Sequence, residues 1–492
     1  MYENKYQWAR KIGFGFRPED NIPGDINQWN IEQLKSNNKN VGLNGNGKWP
    51  DNFNFSIEER FNRLFTYMTK REKHESDKIS PIEKKRLVKI ARDENLVHLH
   101  DVYKYWNNSI YSQDTFHQRL VHFWANHFTV GGSNNFRNYV IGDLIHQTIG
   151  GNLGGSFSDL LQKVILHPGM LDYLDNVQSA GEESQYTKSM RKNGKTAGLN
   201  DNLSREILEL HTVSTAKEYS EKDIKNIAMI LAGWGLSVSY YMQDFNNEKS
   251  SNNISKHTSL KKFIEKPYLK YKAEPGNKSV LGKSFASGPS ALYILINMLA
   301  EDDFTAKHLS RKLAIHFIGE NVSEEEIQKI YKVWKSSDGD LSEIHKVTLE
   351  VAQKTKIKKF LWPTTWMFQC IRISGAQFIS DRNRNNGFGE IQDNGLPKFE
   401  PLSILDEIGH NFWASRQPDG YSEKKQDWVS TEHFDRRIRI ASRIYRAKST
   451  ISGEEIAEIY GFSDRTKMSI SSAKTNEDKF IVALCSSELM EI

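Results

Sequence analysis

Apolar residues recur at helical spacing along most of this 492-residue chain. Between residues 57 and 105 they alternate with charged residues, which is typical of a pair of amphipathic helices. Only 268–271 alternates in the manner of a short strand. The pattern predicts a mainly α protein, a large multi-helix globular domain with long loops and minor β elements. Further helices are predicted at 7–12, 31–36, 113–130, 139–166 (interrupted by glycines at 150–155), 201–213, 221–236, 288–300, 303–318, 323–335, 341–352, 433–447, 453–460 and 477–491.

Three polar stretches interrupt the helical pattern, at 181–200, 243–262 and 376–398. We interpret them as loops inserted into a helical core that spans 57–448. Residues 1–56 are predicted to form an N-terminal segment packed on that core, and 449–492 a C-terminal helical extension. Long loops in compact proteins often carry function, so the three insertions are candidate contact surfaces for a partner.

Composition and charge narrow the class of protein. Hydrophobic residues make up 38% of the chain, a globular balance that argues against general disorder. The 67 basic and 62 acidic residues leave a net charge of +5, which predicts no nucleic-acid partner. The chain contains no apolar run long enough for a membrane span. Its two cysteines, Cys370 and Cys485, exclude a disulfide scaffold.

The N-terminal residues lack the apolar segment of a signal peptide. As written, the chain is therefore expected in the cytoplasm, unless a leader has been removed. The stretch 276–284 resembles a phosphate-binding loop, but it has one residue too many between its glycines and no buried strand before it. We therefore do not predict nucleotide binding there.

One candidate constellation lies on the helix at 113–130, where Arg119, Asn126 and His127 accompany an apolar stripe. A buried imidazole must be hydrogen-bonded, and the arginine and the amide are suitable partners. A core histidine in a structural polar network is the simpler interpretation, and a catalytic imidazole is the alternative.

A second constellation lies at 202–211. Helical spacing places Asn202, Glu206 and Glu209 along one flank, with Arg205 four residues before Glu209 and His211 on the opposite flank. Two desolvated carboxyl groups could act as general acid and base, or could bind a divalent metal together with a histidine. Alternatively, Arg205 and Glu209 neutralise each other and have only a structural role.

Two further histidine-containing segments favour structural roles. At 308–317 we expect His316 to pack in the core and Lys312 to be solvated. The His-Pro pair at 167–168 is expected to begin a helix, and Asp175 and Asn176 suit a turn at its end.

These blocks resemble the bacterial domain-of-unknown-function 1800 family. The longest similarity is 200–212, Asn-Asp-Asn-Leu-Ser-Arg-Glu-Ile-Leu-Glu-Leu-His-Thr, followed at the same spacing by Gly233 and Trp234. Shorter similarities lie at 10–18, 124–128, 167–176, 311–317 and 417–421, so the resemblance covers about residues 8–445. The chain departs from the family pattern at Ala273, before Glu274, and at Asp302, where the family often has histidines.

The resemblance implies an envelope setting, because family members are often exported and are often encoded beside a sulfatase-like protein, a candidate partner. We therefore consider a hydrolytic or acid–base enzyme acting on an envelope or polymeric substrate. Its predicted catalytic residues are His127, Glu206, Glu209 and His211. The residues predicted to bind substrate are Arg119, Asn126, Asn202, Arg205 and Trp234.

Two points stay open at this stage. A divalent metal is a candidate cofactor of such an enzyme, without an assigned ligand set. The alternative function is a non-catalytic helical scaffold whose loops engage a protein or glycan partner, with the aromatic residues as anchors. The sequence predicts no oligomeric state.

Overall fold

The computed structural model describes residues 4–34, 40–42, 45, 47–74, 80–94, 97–132, 135–235, 268–377, 379–380, 398–399, 401–415, 417–447 and 449–492. The predicted insertion at 243–262 and most of the one at 376–398 lie outside the described residues. The division of the chain into three regions stays a prediction.

Helices dominate the described residues, which confirms the predicted fold class. In chain order they are α1 Lys5–Ile12, α2 Ile26–Gln33, α3 Ile57–His74, α4 Pro81–Glu94, α5 Val97–Tyr111, α6 Thr115–His127, α7 Asn135–Asp143, α8 Phe157–Ile165, α9 Pro168–Tyr173, α10 Gln185–Lys192, α11 Asn202–Glu206, α12 Glu221–Leu231, α13 Ser290–Ala300, α14 Asp303–Phe317, α15 Glu324–Ser336, α16 Leu341–Lys354, α17 Pro363–Ile373, α18 Pro401–Glu407, α19 Thr431–Arg446, α20 Gly453–Ile459, α21 Asp464–Ser472, α22 Asn476–Leu484 and α23 Ser487–Met490.

The strands are short. β1 (Lys278–Val280) pairs antiparallel with β2 (Lys283–Phe285), and β3 (Ile379–Ser380) pairs parallel with β4 (Lys398–Phe399). Leu281 and Gly282, both with positive φ, form the turn of the β1–β2 hairpin. The stretch that resembles a phosphate-binding loop is therefore this hairpin. The strand predicted at 268–271 is wrong, because only Tyr268 pairs, in a single bridge with Trp234, and Lys270–Lys272 is a 3₁₀ turn.

Local sequence explains where many helices begin. Ser220, Ser323 and Ser452 form capping boxes with an acidic residue three positions later, which fixes the starts of α12, α15 and α20. Pro168 begins α9, with His167 as its N-cap, as predicted. The loop predicted for 181–200 is wrong in its middle, where Ser184 caps α10.

One continuous hydrophobic core joins the two ends of the chain to its centre. Trp8 of α1, Trp124 of α6 and Phe480 of α22 all belong to this core. α6 runs through it with every side chain buried, so its polar residues must find partners inside the protein. None of the described helices combines the length and the apolarity that a membrane-spanning segment requires.

Candidate functional site

Four nitrogen-bearing side chains meet where the C-terminal end of α6 packs against α14. His127 is the last residue of α6, and the Nζ atom of Lys312 lies 3.0 Å from its Nδ1 atom. The His211 ring lies 5.8 Å from the His127 ring, centroid to centroid. His308 lies one helical turn before Lys312. We call His127, His211, His308 and Lys312 the amine–imidazole cluster.

Burial lowers the pKa values of the four groups in this cluster. Desolvation, followed by the charges of Lys312 and the neighbouring histidines, holds the pKa of His127 well below its usual range. Desolvation and the charges of Lys312 and His308 lower the pKa of His211 to about 3, and desolvation and Lys312 lower that of His308 to about 4. Desolvation also lowers the pKa of Lys312 to about 8. The imidazoles are therefore neutral near pH 7.

The cluster also contains unsatisfied polar atoms. Among the described residues, the buried Nδ1 atom of His211 and the Nε2 atom of His308 have no hydrogen-bond partner. Buried polar groups have hydrogen-bond partners in most native structures, so two ring nitrogens without a partner lower the stability of the folded protein.

An acidic edge borders the cluster toward solvent and consists of Glu206 and Asp419. Glu206 is half-buried, and we find no hydrogen bond or ion pair for its carboxyl group with any residue that the structure describes. Desolvation raises its pKa, and the charges of Glu209 and Asp419 raise it further. Asp419 is exposed. The two carboxyl groups therefore lie in unequal environments, as acid and base pairs do.

Tyr173, at the end of α9, faces the same edge. Its hydroxyl group is buried and has no hydrogen-bond partner within the described ranges. Desolvation raises its pKa to about 12, and Arg137, Asp419 and Glu206 all act on it electrostatically. The neutral hydroxyl is thus a free donor beside Glu206.

A π-helical turn places His211 in the cluster. α11 ends at Glu206, and Ile207–His211 continues as a π-helix rather than with α spacing. Its carbonyl groups are used locally: the Thr212 hydroxyl donates to Ile207 O at 2.6 Å, and Ser214 N donates to Leu208 O at 2.8 Å. Wider turns of this kind are frequent at functional sites. His211 is 1% exposed and turns toward His127.

The loop that carries Asp419 is fastened to α6. Asn126 accepts a hydrogen bond from Tyr421 N at 2.7 Å and donates to Tyr421 O at 3.0 Å. Gly420 has a φ of 73°, and a Cβ atom there would lie 2.4 Å from Asn126 O. Asn126 therefore positions the acidic edge rather than facing it.

A second polar group on the same two helices is paired through a carboxylate, although the buried Nη1 atom of Arg119 has no hydrogen-bond partner among the described residues. Arg119 donates from Nε to His316 Nε2 at 2.9 Å, and His316 Nδ1 lies 2.6 Å from Glu423 Oε1. Glu423 Oε2 in turn lies 2.6 Å from the Nζ atom of Lys359. Arginine can only donate, so the proton of His316 is on Nδ1. We call Arg119, His316, Glu423 and Lys359 the buried ion network. It places Arg119 inside the protein.

The remaining predicted residues have varied surroundings. Arg205 pairs with Asp201, Glu209 and Glu221 at 3.2, 3.6 and 3.1 Å, so the predicted Arg205–Glu209 ion pair is present. Asn202 is exposed at the start of α11. Trp234 is buried elsewhere, with its ring against Tyr268 and Tyr293.

The described residues provide no ligand set for the divalent metal that the sequence suggested as a cofactor. In the part of the chain that the structure describes, no group of three or more His, Cys, Asp or Glu side chains could hold a metal ion. His127 already bonds Lys312 through one nitrogen, and Glu206 approaches none of the histidines within ion-pair distance.

The two departures from the family pattern have structural roles here. Asp302 caps α14 by accepting from Phe304 N at 2.9 Å, and it also pairs with Lys217. Ala273 packs against Gly233, where an added Cβ atom would lie 3.1 Å from the Ala273 Cβ atom.

Sequence reasoning missed Lys312 and Asp419 as site residues. The expectation of a solvated Lys312 was wrong, because the lysine meets α6 and the π-helical turn only after folding. A usable signal existed in the sequence, since both residues belong to short blocks that resemble the family, at 311–317 and 417–421.

A family model described as a protein of unknown function, DUF1800, matches residues 7–489. No curated protein and no solved structure matches the chain. The matched range contains every element that builds the cluster, its acidic edge and the buried ion network. The chain therefore belongs to the DUF1800 family.

Proposed function

We propose that the amine–imidazole cluster and its acidic edge form the active site of a hydrolytic enzyme that uses acid–base catalysis. The observation that carries this proposal is Glu206, a half-buried carboxyl group without a described partner and with a raised pKa. An unpaired, desolvated carboxyl group costs stability, and it holds a proton more readily than a solvated one. Glu206 is thus suited to protonate a leaving group.

In this proposal His127, His211 and Tyr173 have supporting roles. His127 and His211 are 2% and 1% exposed, so they orient groups at the site rather than touch substrate. The Tyr173 hydroxyl can donate a hydrogen bond to a bound oxygen. Of the two glutamates predicted to be catalytic, this proposal gives a catalytic role to Glu206 alone, because Glu209 forms an ion pair with Arg205.

The surface around Glu206 suits a long substrate. Asp201 and Glu221 are 51% and 79% exposed, and Asp419 is exposed as well. An active carboxyl group on an open surface can reach an internal bond of a chain, whereas a closed cavity admits only small molecules. This supports a polymeric substrate, including one from the cell envelope.

The test compares Glu206→Gln with its matched control Glu209→Gln on chromogenic glycosides and esters. General acid catalysis contributes about 10²–10⁴-fold, so Glu206→Gln should lower turnover by at least about 100-fold. Glu209→Gln should keep turnover within about threefold, because it removes only a partly exposed ion pair. Equal effects of the two variants, or no effect of either, would contradict the proposal.

A second readout needs no substrate. Carbon-13 NMR of glutamate-labelled protein, assigned with Glu206→Gln, should show a Glu206 carboxyl group that titrates above pH 4.5. A Glu206 resonance that titrates at or below pH 4.5 would remove the basis of the acid role.

A binding scaffold is the second candidate function, and one observation favours it. A groove of about 690 Å³ lies among the C-terminal helices, with Phe434, Ile438 and Ile481 on its apolar wall and Arg465 on its polar rim. A sulfatase-like partner remains a prediction from the family resemblance. In this case Phe434→Asp would abolish capture of that protein, while Glu206→Gln would not.

A further inference from the structure

We propose that Lys312 is the general base of this site: its uncharged amine takes the proton of the water that attacks the substrate. The inference deepens the proposed hydrolytic function and rests on it. Lys312 is not among the residues that the sequence predicts as catalytic. Its surroundings set it apart from the other lysines that the fold encloses.

Five of the described lysines are buried, and Lys312 is half-buried. Each of those five directs its amine at one or more oxygen atoms. Lys11 donates to three carbonyl groups at 2.7–2.8 Å, and Lys359 donates to Glu423 through both its carboxylate and its carbonyl oxygen. The others are Lys104, Lys272 and Lys278.

Lys312 has no such oxygen. Within the described ranges its one hydrogen-bond partner is His127 Nδ1, and no carboxylate lies within ion-pair distance of its Nζ atom. An ammonium group here would leave two N–H donors without a protein partner among the described residues. A neutral amine donates one N–H to Nδ1 and keeps its lone pair available.

The charged and titratable groups around Lys312 come from every element packed on it. α6 contributes His127, the π-helical turn His211, and α14 itself His308, one turn earlier. The loop after α18 contributes Asp419 and Glu423, whose charges favour the protonated amine. Desolvation outweighs them and lowers the pKa of Lys312 to about 8. A fraction of the protein then carries the free amine near neutral pH.

The step balances without a redox partner. The water oxygen bonds to the electrophilic carbon of the substrate, and one water proton passes to Nζ, which becomes an ammonium group. The bond to the leaving group breaks, and that group departs with the proton of Glu206. The ammonium group then loses its proton to solvent and the Glu206 carboxylate regains one. His127 is a positioning residue in this scheme, because it orients the amine through Nδ1.

The first test measures the amine directly in the whole wild-type protein. Trace acetylation with acetic anhydride across pH 6–10, read by peptide mass spectrometry, gives the pH dependence of each lysine's reactivity. Exposed Lys474 serves as the internal reference. Lys312 should reach half of its maximal reactivity near pH 8, below the value of about 10.4 that is usual for lysine. Reactivity of Lys312 that follows Lys474, or that is absent at every pH, would overturn the proposal.

The second test uses turnover and separates the two proposals. Lys312→Met should lower hydrolysis at least about 100-fold, and Lys312→Arg should do the same because a guanidinium group stays protonated. Lys307→Met, on an exposed face of the same helix, should leave turnover unchanged. Because the scheme needs a protonated Glu206 together with an uncharged Lys312, wild-type turnover should pass through a maximum below about pH 8 and fall on either side of it.

The outcomes distinguish a failure of the role proposed for Lys312 from a failure of the proposed hydrolytic function. Loss of turnover in Glu206→Gln with retention in both Lys312 variants would overturn the role of Lys312 and leave the proposed function standing. A wild-type protein that hydrolyses none of the substrates would overturn the proposed function itself, whatever the acetylation profile shows.

Discussion

The buried ion network and the amine–imidazole cluster are built from the same two helices and from similar residues. α6 supplies Arg119 to one and His127 to the other, and α14 supplies His316 and Lys312. In the network a carboxylate, Glu423, lies 2.6 Å from His316 Nδ1 and 2.6 Å from Lys359 Nζ. In the cluster the amine meets only an imidazole.

The difference shows what decides whether a buried basic residue is structural or reactive. Glu423 holds His316 and Lys359 in place, and those neighbours hold the pKa of its carboxyl group far below the usual range. Desolvation pushes Lys312, which has no carboxylate within ion-pair distance, toward its neutral form. Of these two groups, the one that contains a directly paired carboxylate is structural, and the one without it is the candidate catalytic group.

Removing that carboxylate should have the largest effect. Glu423→Gln leaves Lys359 and Arg119 buried without their counter-ion, so we expect a loss of about 3–5 kcal/mol in the free energy of unfolding, measured in urea at pH 7. The control Glu324→Gln, in an exposed pair with Arg311, should cost less than about 1 kcal/mol.

The same variant has a pH signature. The folded-state pKa of Glu423 is lowered, so its contribution to stability is present above about pH 4.5 and is lost as the pH falls. Glu423→Gln should therefore show a flatter acid limb than the wild type. A loss under about 1 kcal/mol at pH 7, with unchanged acid sensitivity, would contradict this view of the network.

Lys312 should also make stability rise with pH, but at higher pH and because the folded protein disfavours its charged form. Its pKa falls from 10.5 to about 8 on folding, so the unfolded chain binds more protons between those values and wild-type stability rises with pH. Relative to Lys312→Met, the wild type should gain roughly 3 kcal/mol between pH 7 and pH 11, at about 1.4 kcal/mol per pH unit.

Urea unfolding of both proteins at several pH values across that range measures this difference. Lys307→Met, which removes a lysine from an exposed ion pair, corrects for the general effect of losing one cation. Stability curves of wild type and Lys312→Met that run parallel would show that Lys312 stays fully charged in the folded protein.

The smallest expected effect concerns the loop that joins the two groups. Asn126→Ala removes two hydrogen bonds to the backbone of Tyr421, which should cost about 2 kcal/mol at roughly 1 kcal/mol each. Because Asp419 and Glu423 flank that anchor, the variant should also lower turnover. Gln417→Ala, at an exposed position of the same loop, is the control. Equal unfolding energies for the two variants would argue against the anchor.

Much of the fold could be predicted from periodicity, and the exceptions have physical causes. α17 has all of its side chains buried, so it lacks the polar face on which a helical pattern depends. α10 is the reverse case, since Thr187 is its one buried residue and its polar sequence reads as a loop. Both helices are defined by their surroundings more than by their own pattern.

The site could be predicted only in part for a related reason. The apolar stripe of α6 indicated that His127 is buried, and spacing paired Arg205 with Glu209. The approach of Lys312 to His127 joins residues 185 positions apart, and local patterns carry no information about such contacts. The flank predicted for His211 assumed regular α spacing, whereas Ile207–His211 is a π-helical turn.

That turn, Ile207–His211, has a consequence for how the protein can change over time. A π-helical turn amounts to one residue inserted into an α-helix, so its geometry depends on the number of residues in the segment as well as on their identity. Deleting a single residue there would return the helix to α register and swing His211 away from His127, even with every site residue retained. Relatives of this protein should thus be compared by the residue count between Glu206 and His211 before their side chains are compared.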